Sequence, residues 1–253
     1  MTFVTIDGLL IGDGSTVEQL YTLTENGITG WRGGGVDFRR ERTPRPARHG
    51  EFPSRGYKSG RLVRVEFEVL TPPSSGRSHV EAIDRALAVL DDGGDGELRI
   101  DDGDRELIAT ASRYGEPEVT TVVEDLLSVV AMRFLTPDPR RYSDEVQFPA
   151  ASSLQLFHRG NSTTLPELRV VGPSAGGYTL TFSTGDVVTV PGGLAAGAVD
   201  VLSAGTQWVK RAGATTPLLG VTGHVPELPP GVTVTVTVAG ATSVAATIRD
   251  AFT

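Results

Sequence analysis

Pro137-Asp138-Pro139 cuts the chain into two halves of different character. Two prolines around one aspartate fix φ at two positions and remove two backbone donors, so a regular strand has to end there. The residues leading in, Met132-Arg133-Phe134-Leu135-Thr136, and those leading out, Arg140-Arg141-Tyr142, therefore belong to different elements. Before the junction the sequence is charged and mixed, with one good helix. After it the sequence is rich in Gly, Thr and Val and reads as strands. The expected division is residues 1–149 and 150–253.

A length of 253 residues suits two ordinary domains or one large β domain. The 31 glycines and 16 prolines imply many turns, and no low-complexity run accompanies them, which points to an all-β protein rather than disorder. Aromatics are only 6% of residues, so Val, Leu, Ile and Ala must fill the cores. The absence of cysteine excludes disulfides, thiolate metal sites and cysteine nucleophiles. The opening Met1-Thr2-Phe3-Val4-Thr5-Ile6-Asp7-Gly8 lacks a basic stretch, so no secretory signal is expected. No apolar run reaches the ~20 residues needed to span a bilayer.

The net charge of −8 is unevenly spread. Residues 150–253 carry five basic and five acidic groups, whereas residues 1–149 carry 18 and 26 and hold the whole excess. An acidic half argues against general nucleic-acid binding, which needs basic charge to displace counterions. It suits a surface that must not hold on to DNA.

In the first half, residues 3–11 and 17–24 read as strands, with Asn26-Gly27 expected to close a hairpin. Residues 32–50 contain Gly33-Gly34-Gly35 and then Arg39, Arg40, Arg42, Arg45 and Arg48, opposed only by Asp37 and Glu41. Pro44 and Pro46 should keep this stretch extended and break strand pairing. Read functionally, it is an arm whose guanidinium forks meet a partner's carboxylates; read structurally, it is a solvated basic loop. These five arginines are the candidate subunit-interface residues. Residues 61–69 alternate cleanly, with Val63, Val65, Phe67 and Val69 on one face. A helix follows. Ser78-His79-Val80-Glu81 fits a capping box, and Val80, Ile83, Leu87 and Leu90 form an apolar stripe that should cover the neighbouring sheet. Residues 98–111 read as a hairpin about Asp102-Gly103. Residues 119–135 fit helix or strand, with strand favoured from about Asp125.

The second half repeats short strands at intervals of roughly 8–12 residues with Gly-rich turns between them, the pattern of a β-sandwich. Val232-Thr233-Val234-Thr235-Val236-Thr237-Val238 alternates throughout.

The motifs that hint at chemistry read more plainly as structure. Gly172-Pro173-Ser174-Ala175-Gly176 matches G-x-S-x-G, and Asp186, Asp200 and His224 follow in hydrolase order. That motif works where a strand feeds the serine into a turn and then a helix; here a strand comes next, so a Pro-Ser turn is expected. Asp91, Asp95, Gly96 and Asp102 fall at calcium-loop spacing, but Gly93 occupies a ligand position and the closing bidentate glutamate is missing. His49, His79, His158 and His224 stand at no ligand spacing. Glu66 and Glu68 beside Arg64 read as a solvated strand face, and Asn161-Ser162-Thr163 as a turn.

The order of four features resembles the distal tail and minor tail proteins of long, non-contractile-tailed bacteriophages. They are His49-Gly50 leading into the 61–69 strand, the single helix at 78–90, and the run from Phe134 through Pro137-Asp138-Pro139 to Tyr142. The fourth is a sandwich opened by His158-Arg159-Gly160-Asn161-Ser162-Thr163-Thr164-Leu165-Pro166 and containing Leu228-Pro229-Pro230-Gly231. The resemblance spans nearly the whole chain. It implies a mainly β protein: an N-terminal tail-tube-like β domain with one α-helix, then a C-terminal galectin-like β-sandwich. It implies a virion structural component in the phage tail tip, assembled in the host cytoplasm. Such a hexameric hub joins the tail tube to the tip or baseplate, and DNA passes through it without specific binding. No catalytic residue, metal or cofactor is carried over, and no membrane partner is implied. A carbohydrate-binding module and a tail-tube or capsid-decorating protein are the competing readings.

Overall fold

The computed structural model describes the chain except residues 1, 14–19, 42, 47, 48, 50, 53–55, 77, 207, 212 and 215. It divides into two compact units, Met1–Arg141 and Tyr142–Thr253. Both are built of antiparallel strands, and among the described residues the chain is mainly β with one α-helix.

The first unit contains β1 (Phe3–Ile6), β2 (Leu9–Ile11), β3 (Tyr21–Thr29), β4 (Val36–Arg39), β5 (Thr43–Pro44), β6 (Glu51–Phe52) and β7 (Tyr57–Leu70). A short 3-10 turn (Pro73–Ser75) and helix α1 (His79–Leu87) follow, then β8 (Asp95–Asp101), β9 (Glu106–Arg113), β10 (Glu118–Val123) and β11 (Leu127–Thr136). The strand order runs β2-β1-β8-β9-β11-β7-β3, with β10 added to β11 and β4 to β7. At its centre β7 and β11 pair over ten residues, from Leu127 opposite Leu70 to Thr136 opposite Arg61. The expected alternation holds: Val63, Val65, Phe67 and Val69 are buried, and Val130, Met132 and Phe134 lie on the buried side of β11. The 119–135 stretch is two strands joined by a turn, with β10 already strand before Asp125. The Asp102-Gly103 hairpin forms as expected between β8 and β9. Strand β11 ends at Thr136, immediately before the first proline of the junction.

Residues 3–11 are not one strand but the hairpin of β1 and β2, residues 17–19 of the second expected strand lie outside the described residues, and three further local expectations are corrected. Asn26-Gly27 closes no hairpin; β3 runs through it, and its register against β7 shifts between Leu23 and Ile28. A Cβ on Gly27 would lie 2.8 Å from the Glu66 carbonyl oxygen, so this glycine marks a bulge pressed against the neighbouring backbone. Pro44 does not stop pairing, since Thr43 and Pro44 face Phe52 and Glu51 in a two-strand ladder. Such a ladder has two open edges, where a residue without a backbone donor is tolerated.

The helix differs in both cap and face. Ser78 is the N-cap residue, but its side chain makes no capping bond. The buried positions are His79, Ala82 and Ala86, continued by Val89 and Leu90, while Val80 is 58% exposed. Alanines let the helix axis approach β7 and β11 closely, where the larger side chains on the expected stripe would hold it off. His79 is seated between two hydroxyls: one ring nitrogen meets Thr71 Oγ1, and Nε2 lies 2.9 Å from Ser128 Oγ. The Tyr21 hydroxyl donates to the Ala82 carbonyl at 2.9 Å and ties the helix to β3.

The second unit contains β12 (Arg141–Ala151, starting on the last residue of the first unit), β13 (Ser153–Leu156), β14 (Glu167–Val171), β15 (Gly177–Phe182) and β16 (Val187–Pro191). It continues with β17 (Val199–Ser203), β18 (Trp208–Arg211), β19 (Val234–Ala239) and β20 (Ser243–Phe252). One layer orders β18-β17-β14-β20-β12, the other β13-β19-β15-β16. Between them lies a core of Leu156, Leu168, Val170, Leu180, Phe182, Val190, Val236, Val244 and Ile248. This is the expected sandwich, with β12 as a strand that periodicity alone did not place.

The corrected helix face has a consequence for stability. Phe67→Ala should cost about 3–5 kcal/mol, because a fully buried ring leaves a cavity. Val80→Ala should change stability by less than about 0.5 kcal/mol, as expected of an exposed helix position. Urea titrations of the two variants read both values; a large loss at Val80 would mean that the stripe of larger side chains faces the sheet after all.

Candidate functional site

Beyond β4 the chain leaves the sheet as a ribbon. Val36, Phe38 and Arg39 pair with Arg61, Lys58 and Tyr57 at its root, and Thr43–Pro44 with Glu51–Phe52 farther out. Both faces are solvent-exposed. Phe38, Phe52 and Tyr57 are 68%, 52% and 57% exposed, although they are among the largest apolar groups of this unit. Of the five candidate arginines, Arg39, Arg40 and Arg45 lie exposed on this ribbon, and Arg42 and Arg48 lie outside the described residues. The Arg45 guanidinium sits 5.5 Å from the Phe52 ring centre and Lys58 Nζ 6.0 Å from that of Phe38, so the cations lie over aromatic faces.

The root of the ribbon is built differently. Residues 30–35 form a loop in which Gly30 (φ +80°) and Gly35 (φ +67°) both press on the Leu62 carbonyl oxygen; a Cβ would lie 2.1 Å and 2.5 Å from it. Only glycine accommodates that backbone at that distance. Two guanidinium groups fasten the loop from inside. Arg61 donates from Nη1 to the carbonyls of Gly30 (2.8 Å) and Trp31 (3.0 Å), and from Nε to Pro139 (3.1 Å). Arg141 donates to the Trp31 carbonyl at 2.6 Å, and its Cζ lies 5.5 Å from the centre of the buried indole. Both arginines are buried with carbonyl acceptors rather than carboxylates. Burial lowers the Arg61 pKa; burial, and then the charge of Arg61, bring Arg141 down to about 10.

From within the same loop, the Arg32 side chain clasps the β8–β9 turn, 2.6 Å from Asp102 and 2.9 Å from Asp104. That guanidinium holds the Asp102 carboxyl below the usual carboxylate range, against the opposing effect of burial and with help from the Arg105 and Asp104 amides.

Sequence reasoning found the exposed arginines but missed Arg61 and Trp31, and it read Arg141 as an orienting residue of the junction without finding its contact with Trp31. One signal was present: Arg61 shares the parity of Val63, Val65, Phe67 and Val69, so it belongs to the buried face of its strand.

The motifs weighed for chemistry resolve into structure. Ser174 Oγ donates to the Gly177 carbonyl at 2.6 Å and accepts from the Gly177 amide at 3.1 Å, closing its own turn. Asp200 is completely buried and joins the two layers of the sandwich. It accepts the Arg211 fork (Nε 3.0 Å, Nη2 2.8 Å) from its own layer and the Tyr178 hydroxyl (3.0 Å) from the other. Burial is the main force pushing the Tyr178 pKa up, with Asp200 adding to it. Asp92 accepts from the Gly94 amide, while Asp91 pairs with Arg113 at 2.7 Å, so these two carboxylates serve a turn and a surface clasp. His158 Nδ1 accepts from the Gly160 amide, and its Nε2 lies 3.2 Å from the Leu228 carbonyl oxygen.

No family model and no curated protein sequence matches the chain. Solved structures do. The Dit protein of phage SPP1, described as a hub of the adsorption apparatus in phages infecting Gram-positive hosts, superposes with a TM-score of 0.77 at 15% identity, over 100% of both chains. A chain of the phage P2 baseplate in its activated, calcium-bound conformation superposes with a TM-score of 0.54 at 6% identity, over 99% of this chain and 98% of that one. The strontium-bound form of that baseplate gives 0.51 at 5% identity, over 98% and 97%.

Two measurements test the site's electrostatics. Asp102 has a depressed folded-state pKa, so its contribution is full above the unfolded value near ~4 and is lost as pH falls through the lower folded value. Wild-type and Asp102→Asn melting temperatures should therefore differ near neutrality and converge in acid. In the second unit, Asp200→Ala leaves Arg211 and Tyr178 without their partner and should cost about 3 kcal/mol, whereas Tyr178→Phe should cost about 1 kcal/mol. Equal losses in urea titrations would mean that the fork contributes nothing beyond the phenol. The chain carries the fold of a phage hub protein from end to end, with a buried arginine root beneath an exposed arginine ribbon.

Proposed function

We propose that this protein is a structural hub of a phage tail: six copies close into a ring that joins the tail tube to the tip or baseplate. The observation that carries this reading is the end-to-end structural match to a protein described as a hub of a phage adsorption apparatus. The ribbon fits the role. Large aromatic groups and arginines held out in solvent from a rigid root are what a subunit contact needs and what an isolated domain has no use for. Arg39, Arg40, Arg42, Arg45 and Arg48 are the residues proposed to meet the next copy. The acidic excess of residues 1–149 suits a ring through which DNA slides, since it offers few cations to displace the counterions held by the phosphates. The protein works in the virion, by shape and contact, with tail tube and tail-tip proteins as neighbours.

Light scattering behind a sizing column, with electron micrographs of the same fractions, tests the reading. Rings of six are the expected outcome. Arg39→Glu, Arg40→Glu and Arg45→Glu together should shift the population to monomers while the circular dichroism of the strands is unchanged. A wild-type chain that stays monomeric at high concentration would refute the ring, and intact rings in the triple variant would remove the arginines from the contact.

A further inference from the structure

Strand β10 is exposed at all six of its positions. Among the described residues it pairs with β11 alone, which leaves its outer edge as an open strand edge. Val119, Val122 and Val123 are exposed along it and Tyr114 stands just before it, an apolar edge of the kind soluble proteins usually blunt or cover. The surrounding residues 114–126 include Glu116, Glu118, Glu124 and Asp125 and no basic residue; Glu118 is engaged by Arg133 of β11. The ribbon is the complement. Residues 36–60 contain seven arginines and lysines against three acidic residues, for a net charge of +4, and the edge segment carries −4.

The strand registers show that one chain cannot bring these two surfaces together. Strand β4 joins β7 on the side away from β11 and at residues 57–61. Strand β10 joins β11 at residues 127–131, which lie opposite residues 66–70 of β7. The ribbon and the β10 edge are thus at opposite edges and opposite ends of the central pair. A second copy is the occupant that has the matching charge, the matching apolar groups and an open strand to offer.

Building on the ring reading above, we propose that the ribbon of each copy docks along the β10 edge of the next. Backbone groups extend the sheet across the contact, Phe38, Phe52 and Tyr57 cover Val119, Val122 and Val123, and the arginines face Glu116 and Glu124. The contact joins two different patches of identical chains. It is therefore head-to-tail and closes into a ring when the rotation per copy divides a full turn.

Two half-defective forms test this. Arg39→Glu with Arg40→Glu disables the ribbon and keeps the edge; Glu116→Arg with Glu124→Arg disables the edge and keeps the ribbon. Each alone should be monomeric, and an equimolar mixture should recover rings in which the two forms alternate, because the wild-type pair of surfaces and the charge-exchanged pair are both complementary. In addition, the chain has no cysteine, so Phe38→Cys with Val122→Cys supplies the only thiols. Under oxidation this double variant should form a covalent ladder, while each single variant yields nothing larger than a dimer. Wild-type rings with an edge variant that still assembles, or a mixture that stays monomeric, would overturn this contact and leave the ring standing. A wild-type chain with no assembly at all would overturn both.

Discussion

The first unit depends on the ten-residue pairing of β7 with β11. Because side chains alternate along both strands, this one register decides which residues face the core and which the solvent. A slip of a single residue would turn Val63, Val65 and Phe67 outward and put Leu62, Arg64 and Glu66 in their place. It would also carry Arg61 away from the glycine loop. The same pair sets direction, since β4 and the ribbon leave from one end and β10 leaves from the other.

The root shows how a chain fixes a projecting element without a large core around it. Burying an arginine is costly unless its donors are used, and two neighbouring buried arginines repel as well. Here Arg61 donates to the carbonyl oxygens of residues 30, 31 and 139 and Arg141 to that of residue 31, while Arg141 Nε is buried without a hydrogen-bond partner and the indole of Trp31 offers its face to that guanidinium. Two of these oxygens, those of residues 30 and 31, belong to a loop that glycine alone can shape, so neither half of the device works without the other. The loop needs the guanidinium groups to satisfy its inward-pointing carbonyls, and the guanidinium groups need a backbone that comes close enough to accept from. The lowered pKa of Arg141 records the cost of that arrangement.

Where each residue interacts with its near neighbours, the fold was legible. The 61–69 strand, the Asp102-Gly103 hairpin, the end of β11 at the prolines and the Gly-punctuated sandwich all rest on periodicity or turn chemistry, which act within a few residues. The helix shows the limit. Helical spacing of the larger side chains picked Val80, Ile83, Leu87 and Leu90; Leu90 is buried, but the packing against β7 and β11 selected Ala82 and Ala86 and left Val80 exposed, a choice that depends on a surface far away in sequence. Asn26-Gly27 failed for a similar reason: a residue pair suited to a turn was used as a bulge because β7 presses on it. At the candidate site the exposed arginines stood out as a cluster. Arg61 and Arg141 did not, because their partners are backbone carbonyls, and a carbonyl acceptor leaves no mark on composition. His79 and Asp200 were hidden for a different reason: their partners are side chains 8 to 49 and 11 to 22 residues distant.

The charge distribution bears on how such a chain could associate with itself. A net charge of −8 makes copies repel at a distance, yet that repulsion fades over the ~8 Å screening length of physiological salt. What matters at contact is the local sign, and the chain concentrates seven of its 23 basic groups in residues 36–60. Exposed ion pairs contribute little free energy individually, so the arginines alone would not hold a ring. Their effect is on orientation and rate, drawing an acidic edge into register and penalising ribbon-to-ribbon or edge-to-edge encounters. The free energy must come from the apolar groups and from pairing two open strand edges, which gain most when water is excluded from between them. Charge that selects the arrangement and apolar surface that holds it is the division of labour that a head-to-tail assembly of identical chains requires.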